Sequence, residues 1–311
     1  MCNEEGPLAD WLCRGLREHV DEMVACDPYR NALISRGGEK TDALDWRKLA
    51  DLYRSGHIRV VYHALDADRS YFKQHVQLYH ERVRHRVAEG QKIIWRLRRL
   101  GVKVGRQEFA RPAFRHELLE RLSLDPVPRE DLRMLLESYE QACEQVRQLD
   151  RRLTKLARQG PVIRRLQEVP GFRWIRASTF VAYVDSPFRF QSKQRLWKYM
   201  GIGLERHQSG TGSGWLSLPK RYNHALKNVI LGAARSAVVQ GENVFADAYE
   251  RWVQQGCSSR IARRNVARSL ATVMWGMWKG GSAFDPHLVS PTPTGRRGMA
   301  ADGASSQHAG G

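Results

Sequence analysis

The 311-residue chain contains no run of about eighteen apolar residues, the length that a helix needs to cross a bilayer. Residues 1–12 contain neither a basic leader nor the apolar core of a signal peptide. Cysteine is scarce. The chain has five, an odd number, and no two are close enough to resemble a zinc knuckle or a redox pair. These absences predict a cytoplasmic protein with reduced thiols, neither secreted nor membrane-spanning.

Acidic residues are also few compared with basic ones, 33 Asp and Glu against 51 Lys and Arg, which gives a net charge of +18. Residues 1–60 hold nine basic and eleven acidic residues, so a net charge of +20 falls on residues 61–311. Such a surplus attracts polyphosphates with an affinity that falls as salt rises. It predicts a nucleic-acid partner, although a helical scaffold with a merely well-solvated surface stays open.

The first part of the chain has the order of an α/β domain. Apolar periodicity predicts a helix over about residues 7–18 and a second helix that begins near Thr41. Short apolar or β-branched runs predict strands over residues 22–26 and 58–62. A sheet of one or two strands is too narrow a surface for the apolar stripe of a helix to pack on. We therefore expect this domain to be incomplete at its amino terminus.

The rest of the chain is predicted to be helical. Two long charged helices, over residues 71–100 and 131–157, are expected to form an antiparallel or intermolecular coiled-coil arm. Shorter helices follow, and the Pro-, Gly- and Ser-rich end is expected to be disordered. The predicted divisions are an α/β domain, the arm, an all-α domain and a tail, at residues 1–70, 71–160, 161–285 and 286–311.

Two groups of acids could hold a metal. Asp42 and Asp45, just after Lys40, lie three residues apart and therefore project from one face of a helix's first turn, where they could bind magnesium. The alternative is that these acids only cap the helix and favour its dipole. Glu4, with Glu5 beside it, could face the two aspartates from the end of a strand, or be an ordinary exposed acid.

Basic and glycine-rich segments supply candidate contacts with DNA. The turn at Pro170 and Gly171 resembles that of helix-hairpin-helix modules, whose backbone N–H groups meet a phosphate; Arg173 stands where a second glycine is usual, and a plain helix–helix turn is the alternative. Lys40 is a further candidate contact with nucleic acid, and a later helix is led by candidate phosphate contacts at Arg260, Arg263, Arg264 and Arg268.

A hydroxyl-rich loop over residues 208–214 is expected to join two helical stretches. A serine in it could be a nucleophile, but loops of this composition are more often linkers. Composition by itself leaves both interpretations open.

In order and spacing, these segments resemble the DEDD transposases of the insertion sequence one-ten family, also called serine bridge recombinases, from about Glu4 to Phe284. The most specific parts are Lys40-Thr41-Asp42 with Asp45, and Val169-Pro170-Gly171. The other matching segments follow in the same order: Tyr199-Met200-Gly201-Ile202-Gly203-Leu204, Gln208-Ser209-Gly210, Asn223 to Lys227 and Gly232-Ala233-Ala234.

The resemblance implies a mobile-element enzyme for DNA transposition and recombination. It implies a RuvC-like (RNase H-like) α/β domain whose acids hold Mg²⁺, with Glu4, Asp42 and Asp45 as the second, third and fourth acids. It also implies that Ser209 joins covalently to DNA, with Ser213 as the second choice. The implied partners are insertion-sequence ends and target DNA, a structured noncoding guide RNA and further copies of the chain in a dimer or tetramer.

The chain departs from this pattern at its front. The family's first aspartate lies on a strand before the second acid, whereas this sequence starts shortly before Glu4. Two hypotheses follow: an intact enzyme whose start codon was misassigned, or a truncated remnant that binds nucleic acid without catalysis.

Overall fold

The computed structural model describes residues 1–28, 42–63, 66–122, 124–207 and 214–289, with the backbone alone for residues 42–45. This part of the chain is mostly helical and contains two small sheets. Lys40, Ser209 and Ser213 lie outside the described residues. The predicted disordered tail, residues 286–311, begins with a short 3-10 helix over Pro286–Leu288, and its residues beyond Val289 lie outside the described part.

The front of the chain forms a small α/β unit. Its sheet has the order β1-β2-β3, with β1 (Cys2–Glu4) parallel to β2 (Val24–Cys26), and β3 (Val60–Val61) antiparallel to β2. Helices α1 (Ala9–Gly15) and α2 (Asp42–Arg54) accompany it. The predicted helices and strands are confirmed in shorter form.

The local pattern of residues 2–4 does not predict strand β1, although Glu4 was expected at the end of a strand and is the last residue of β1. This strand has three residues, two of them polar, so it shows neither an apolar run nor a clear alternation. Its parallel pairing with β2, whose three residues are all buried, widens the sheet. Long-range hydrogen bonding thus makes a strand where the local sequence favours none.

The two long helices pack against each other in antiparallel orientation within one chain. Helix α3 (Ala67–Arg99) runs out and α6 (Pro126–Gln159) returns. Arg96 pairs with Asp131 at 2.6 Å near one end, and Val76 packs with Leu153 near the other. The buried residues of α6 recur mainly at spacings of three and four, as expected for a helix with one covered stripe: Leu132, Leu136, Ala142, Val146, Leu149, Leu153 and Ala157.

Two short helices connect the long pair at its tip, α4 (Arg106–Phe109) and α5 (Pro112–Arg121). Beyond the pair, further helices share one core, and α12 packs against both α10 and α11. Phe180, Leu196 and Leu270 are among its fully buried members. The helices of this domain are α7 (Pro161–Leu166), α8 (Trp174–Val184), α9 (Lys193–Tyr199), α10 (His224–Gln240), α11 (Val244–Gln254) and α12 (Ser259–Gly280).

The prediction that the hydroxyl-rich loop joins two helical stretches is wrong. The loop is flanked by β4 (Glu205–His207) and β5 (Trp215–Ser217), which pair antiparallel with His207 opposite Trp215. Strands of three residues are too short to show an alternation of apolar and polar side chains. Hydrogen bonding to the partner strand gives them their extended structure. The candidate serines therefore belong to the connection of a β-hairpin.

A tyrosine links the α/β unit to the helical domain. The hydroxyl of Tyr62, just after β3, donates to the carboxylate of Asp185, which follows α8 and is 8% exposed. Arg69 donates to the carbonyl of Asp185 at 3.1 Å. Burial, followed by the hydrogen bond to Asp185, raises the pKa of Tyr62 to about 12.

We expect Tyr62→Phe to destabilise this link by about 1 kcal/mol, since Tyr62 is 38% exposed and partly screened. The fold prefers the protonated phenol, so the contribution is complete below about pH 10, the ordinary tyrosine pKa. It is lost as the pH rises toward the folded pKa of about 12. Urea unfolding should therefore show a difference between wild type and variant that shrinks over that pH range; exposed Tyr71→Phe is the control, and a difference independent of pH would contradict the expectation.

Among the described residues, no helix is both long and apolar enough to cross a membrane. None of the five cysteines, all of which lie in the described part of the chain, forms a disulfide. Cys13 and Cys26 are buried in the α/β unit.

Candidate functional site

The carboxyl edge of the first sheet presents acidic side chains. Because β1 and β2 are parallel and Glu4 lies opposite Cys26, both strands end at this edge. The side chain of Glu4 is exposed there. The carboxylate of Glu5 instead contacts the imidazole of His63, so the structure distinguishes the two acids by their surroundings.

A polar network lies behind this edge. Asp10 accepts hydrogen bonds from Ser70 at 2.6 Å and from Arg14 at 2.5 Å, and it lies 3.9 Å from His63. Burial opposes the ionisation of Asp10, but these hydrogen bonds outweigh it and hold its pKa below the usual value. The network links α1 to the start of the long helix α3. His63 and Asp10 were not identified from the sequence, because their positions 53 residues apart show no local pattern.

Helix α2 lies beside the same sheet. Tyr53, in its last turn, contacts the Glu22 carboxylate just before β2, at the amino edge of the sheet. The first turn, with Asp42 and Asp45, is therefore at the other end of a 13-residue helix. Within the described side chains, no group of three metal-ligating residues is clustered; those of Asp42 and Asp45 are not among them, so the metal site stays a prediction.

The glycine turn predicted between two helices is present between α7 and α8. The Phe172 N–H donates to the Val169 carbonyl at 2.9 Å, and the Gly171 N–H donates to the side chain of Gln240 at 3.2 Å. Gly171 has a φ of +83°, and a Cβ there would lie 2.2 Å from the Ala233 carbonyl oxygen. The turn is thus packed onto α10, and these two amides are engaged inside the fold.

The four arginines predicted as phosphate contacts differ in their surroundings. Arg260 and Arg263 are exposed on α12, whereas Arg264 is half-buried. Arg268 donates to the Ile202 carbonyl at 2.8 Å and to Asn265 at 2.9 Å. Burial, and secondly the charge of Arg264, lowers the pKa of Arg268. This guanidinium holds the segment that enters β4.

An aromatic pair lies where the two strands of the β-hairpin meet their connection. The rings of His207 and Trp215 are nearly parallel, with centroids 5.4 Å apart. Lys198, on α9, pairs with Glu205 at 2.5 Å and so joins the hairpin to the helical domain. Ser209 and Ser213 belong to the loop between these strands, outside the described residues.

Two comparisons show what this chain is similar to, and the first of them locates its match. Residues 163–250, from α7 to α11, match the model of the Transposase IS116/IS110/IS902 family. The matched segment contains Pro170, Gly171 and Ser209, whereas the acids of the α/β unit precede it.

The chain is also similar to "Putative transposase y4pF/y4sB" of Sinorhizobium fredii (strain NBRC 101917 / NGR234). The two are 25% identical over 174 residues, which are 54% of this chain and 45% of that protein. The match thus spans less than half the length of that relative. Together the two matches agree with the resemblance found in the sequence: part of this chain is similar to insertion-sequence transposases of the IS116/IS110/IS902 family.

Proposed function

We propose that the chain cuts and rejoins DNA strands during transposition, with Ser209 as nucleophile and with Glu4, Asp42 and Asp45 as magnesium ligands. The observation that carries this proposal is the family match over residues 163–250, which includes the serine loop. The net charge of +20 beyond residue 60 supports DNA, both insertion-sequence ends and target, as the partner.

A serine nucleophile allows cutting and joining without an external energy source. The Ser209 Oγ forms a bond to a backbone phosphorus while the bond from that phosphorus to a strand oxygen breaks. The hydroxyl proton passes to a base, and the released strand oxygen takes up a proton. Attack by a strand hydroxyl on the serine phosphodiester reverses these steps, so the number of phosphodiester bonds is conserved.

The three acids form a ligand set suited to a hard cation. Carboxylate oxygens are the protein ligands that Mg²⁺ prefers. The exposed Glu4 at the end of β1, and the position of the last turn of α2 at the amino edge, support a shared site at the carboxyl edge. Magnesium bound there would stabilise negative charge on the phosphate oxygens. Glu4 and the first turn of α2 would orient it.

The remaining parts of the proposal concern architecture and partners. We propose that the α/β unit is a RuvC-like nuclease domain, that the long antiparallel pair is a coiled-coil arm through which copies associate, and that the Gly171 turn with its two flanking helices is a DNA-binding element similar to a helix-hairpin-helix. A structured guide RNA is proposed from the resemblance, and a cytoplasmic location from cysteines that form no disulfide. The parallel β1–β2 pair and the helices α3 and α6 support the first two assignments.

The experiment that tests the proposal traps the covalent intermediate. Wild-type chain incubated with labelled insertion-sequence ends should give a protein–DNA band that survives denaturation. Ser209→Ala should abolish that band, while Ser213→Ala, the matched control in the same loop, should retain it. Equal retention by both variants would refute the nucleophile, and binding of DNA by wild type with no adduct or product would favour the non-catalytic remnant.

A further inference from the structure

An arginine-lined groove adjoins the Gly171 turn. It lies between this turn, the start of α8 and the end of α10, with Tyr79 of the long arm as one wall, and has a volume of about 700 Å³. That volume falls in the range of ligand clefts, roughly 300–1,000 Å³. Three cationic side chains line it: Arg173, Arg176 and Arg235.

Among the described residues, the groove has no carboxylate that would neutralise these charges. No Asp or Glu is among its described lining residues, and none of the three arginines forms an ion pair with a described residue. Burial, and secondly the charge of Arg173, lowers the pKa of Arg176. Two guanidinium groups are therefore held near one another without a compensating anion, an arrangement that an anionic ligand would stabilise.

Packing fixes one of the three arginines. Arg176 donates to the Gly171 carbonyl at 2.5 Å and to the Ser236 hydroxyl at 2.9 Å, so its guanidinium is oriented before any ligand arrives. Arg173 and Arg235 are exposed at the rim and can move toward a ligand. Arg173 also precedes α8, an 11-residue helix whose start has no side-chain cap.

We propose that Arg173, Arg176 and Arg235 bind the sugar–phosphate backbone of duplex DNA in this groove. Arginine suits this ligand because its planar fork matches two phosphate oxygens. Two amides of the Gly171 turn are hydrogen-bonded inside the fold and are therefore not free to bind a phosphate. The groove gives the turn a different role. In this arrangement the turn shapes the groove, and the arginines beside it contact the phosphates. The inference rests on the proposed function, because it assumes that DNA is the partner.

The test measures binding of the full chain to a fluorescent DNA duplex over a series of salt concentrations. Arg173→Ala and Arg235→Ala are each expected to weaken binding roughly tenfold at low salt and to lower the salt-dependence slope by about 1. Val239→Glu, at a 78%-exposed position on the groove, should weaken binding at least as much by adding a negative charge. Arg176 is not substituted, since it also supports the turn.

Arg133→Ala is the matched control, because it removes the same charge from an exposed site on α6 where Arg133 pairs with Glu130. If the groove variants weaken binding no more than this control, the inference is overturned and the proposed function stands. If they weaken binding to single-stranded RNA but not to duplex DNA, the assignment to DNA is overturned. If the wild-type chain binds no DNA, both the proposed function and the inference fail.

Discussion

Asparagine in place of Asp42 or Asp45 is expected to abolish strand transfer. Each change keeps the size of the side chain but removes a negative charge from the proposed magnesium site. A bound metal supplies several kcal/mol of transition-state stabilisation, so its loss should slow the reaction by about a thousandfold or more. The measurement is the rate at which labelled insertion-sequence ends are cut and joined with Mg²⁺ present.

Loss of activity through unfolding is separable from this effect. Acids in a first helical turn contribute only about 0.3–1 kcal/mol through the helix dipole, so either variant should melt within a few degrees of wild type. Asp51→Asn is the matched control, because it makes the same chemical change at an exposed position of the same helix. Undiminished recombination by Asp42→Asn or Asp45→Asn would contradict the proposed role of the acids.

Alanine at Gly171 is expected to destabilise the helical domain by ~3 kcal/mol or more. The added Cβ would lie 2.2 Å from the Ala233 carbonyl oxygen, and the φ of +83° is costly for any residue with a Cβ. Because the clash is with a backbone atom and the φ is a backbone angle, rotating a side chain relieves neither. For a domain of this size, the melting temperature should fall by about 6–12 °C.

The control for Gly171 is another glycine whose surroundings are open. Gly276, in the middle of α12, has a negative φ, and a Cβ added there would meet no atom within 4 Å outside its own helix backbone. Alanine there should stabilise the helix by roughly 0.5–1 kcal/mol, since glycine is a poor helix former. A Gly171→Ala variant as stable as wild type would show that the turn does not need its glycine.

The resemblance to insertion-sequence transposases and most of the helical elements could be recognised from the sequence. Leu132, Leu136, Val146, Leu149 and Leu153 repeat at helical spacing, and a stripe of this kind predicts a helix wherever it packs. The net charge could be predicted equally well, because it follows from a count of charged residues and does not depend on the fold. Spacing made Asp42 and Asp45 candidate metal ligands, whereas the catalytic roles proposed for these acids, Glu4 and Ser209 came from the resemblance.

The pairing of strands and the meeting of distant side chains could be learned only from the tertiary structure. Strands β1, β4 and β5 have three residues each, too few to show an alternation of apolar and polar side chains. Their formation depends on hydrogen bonds to a partner strand. Arg173, Arg176 and Arg235 are scattered among many other arginines in the sequence, and only the packing of α8 on α10 brings them to one groove. Local spacing determines which helices form, whereas contacts between distant segments decide which side chains meet.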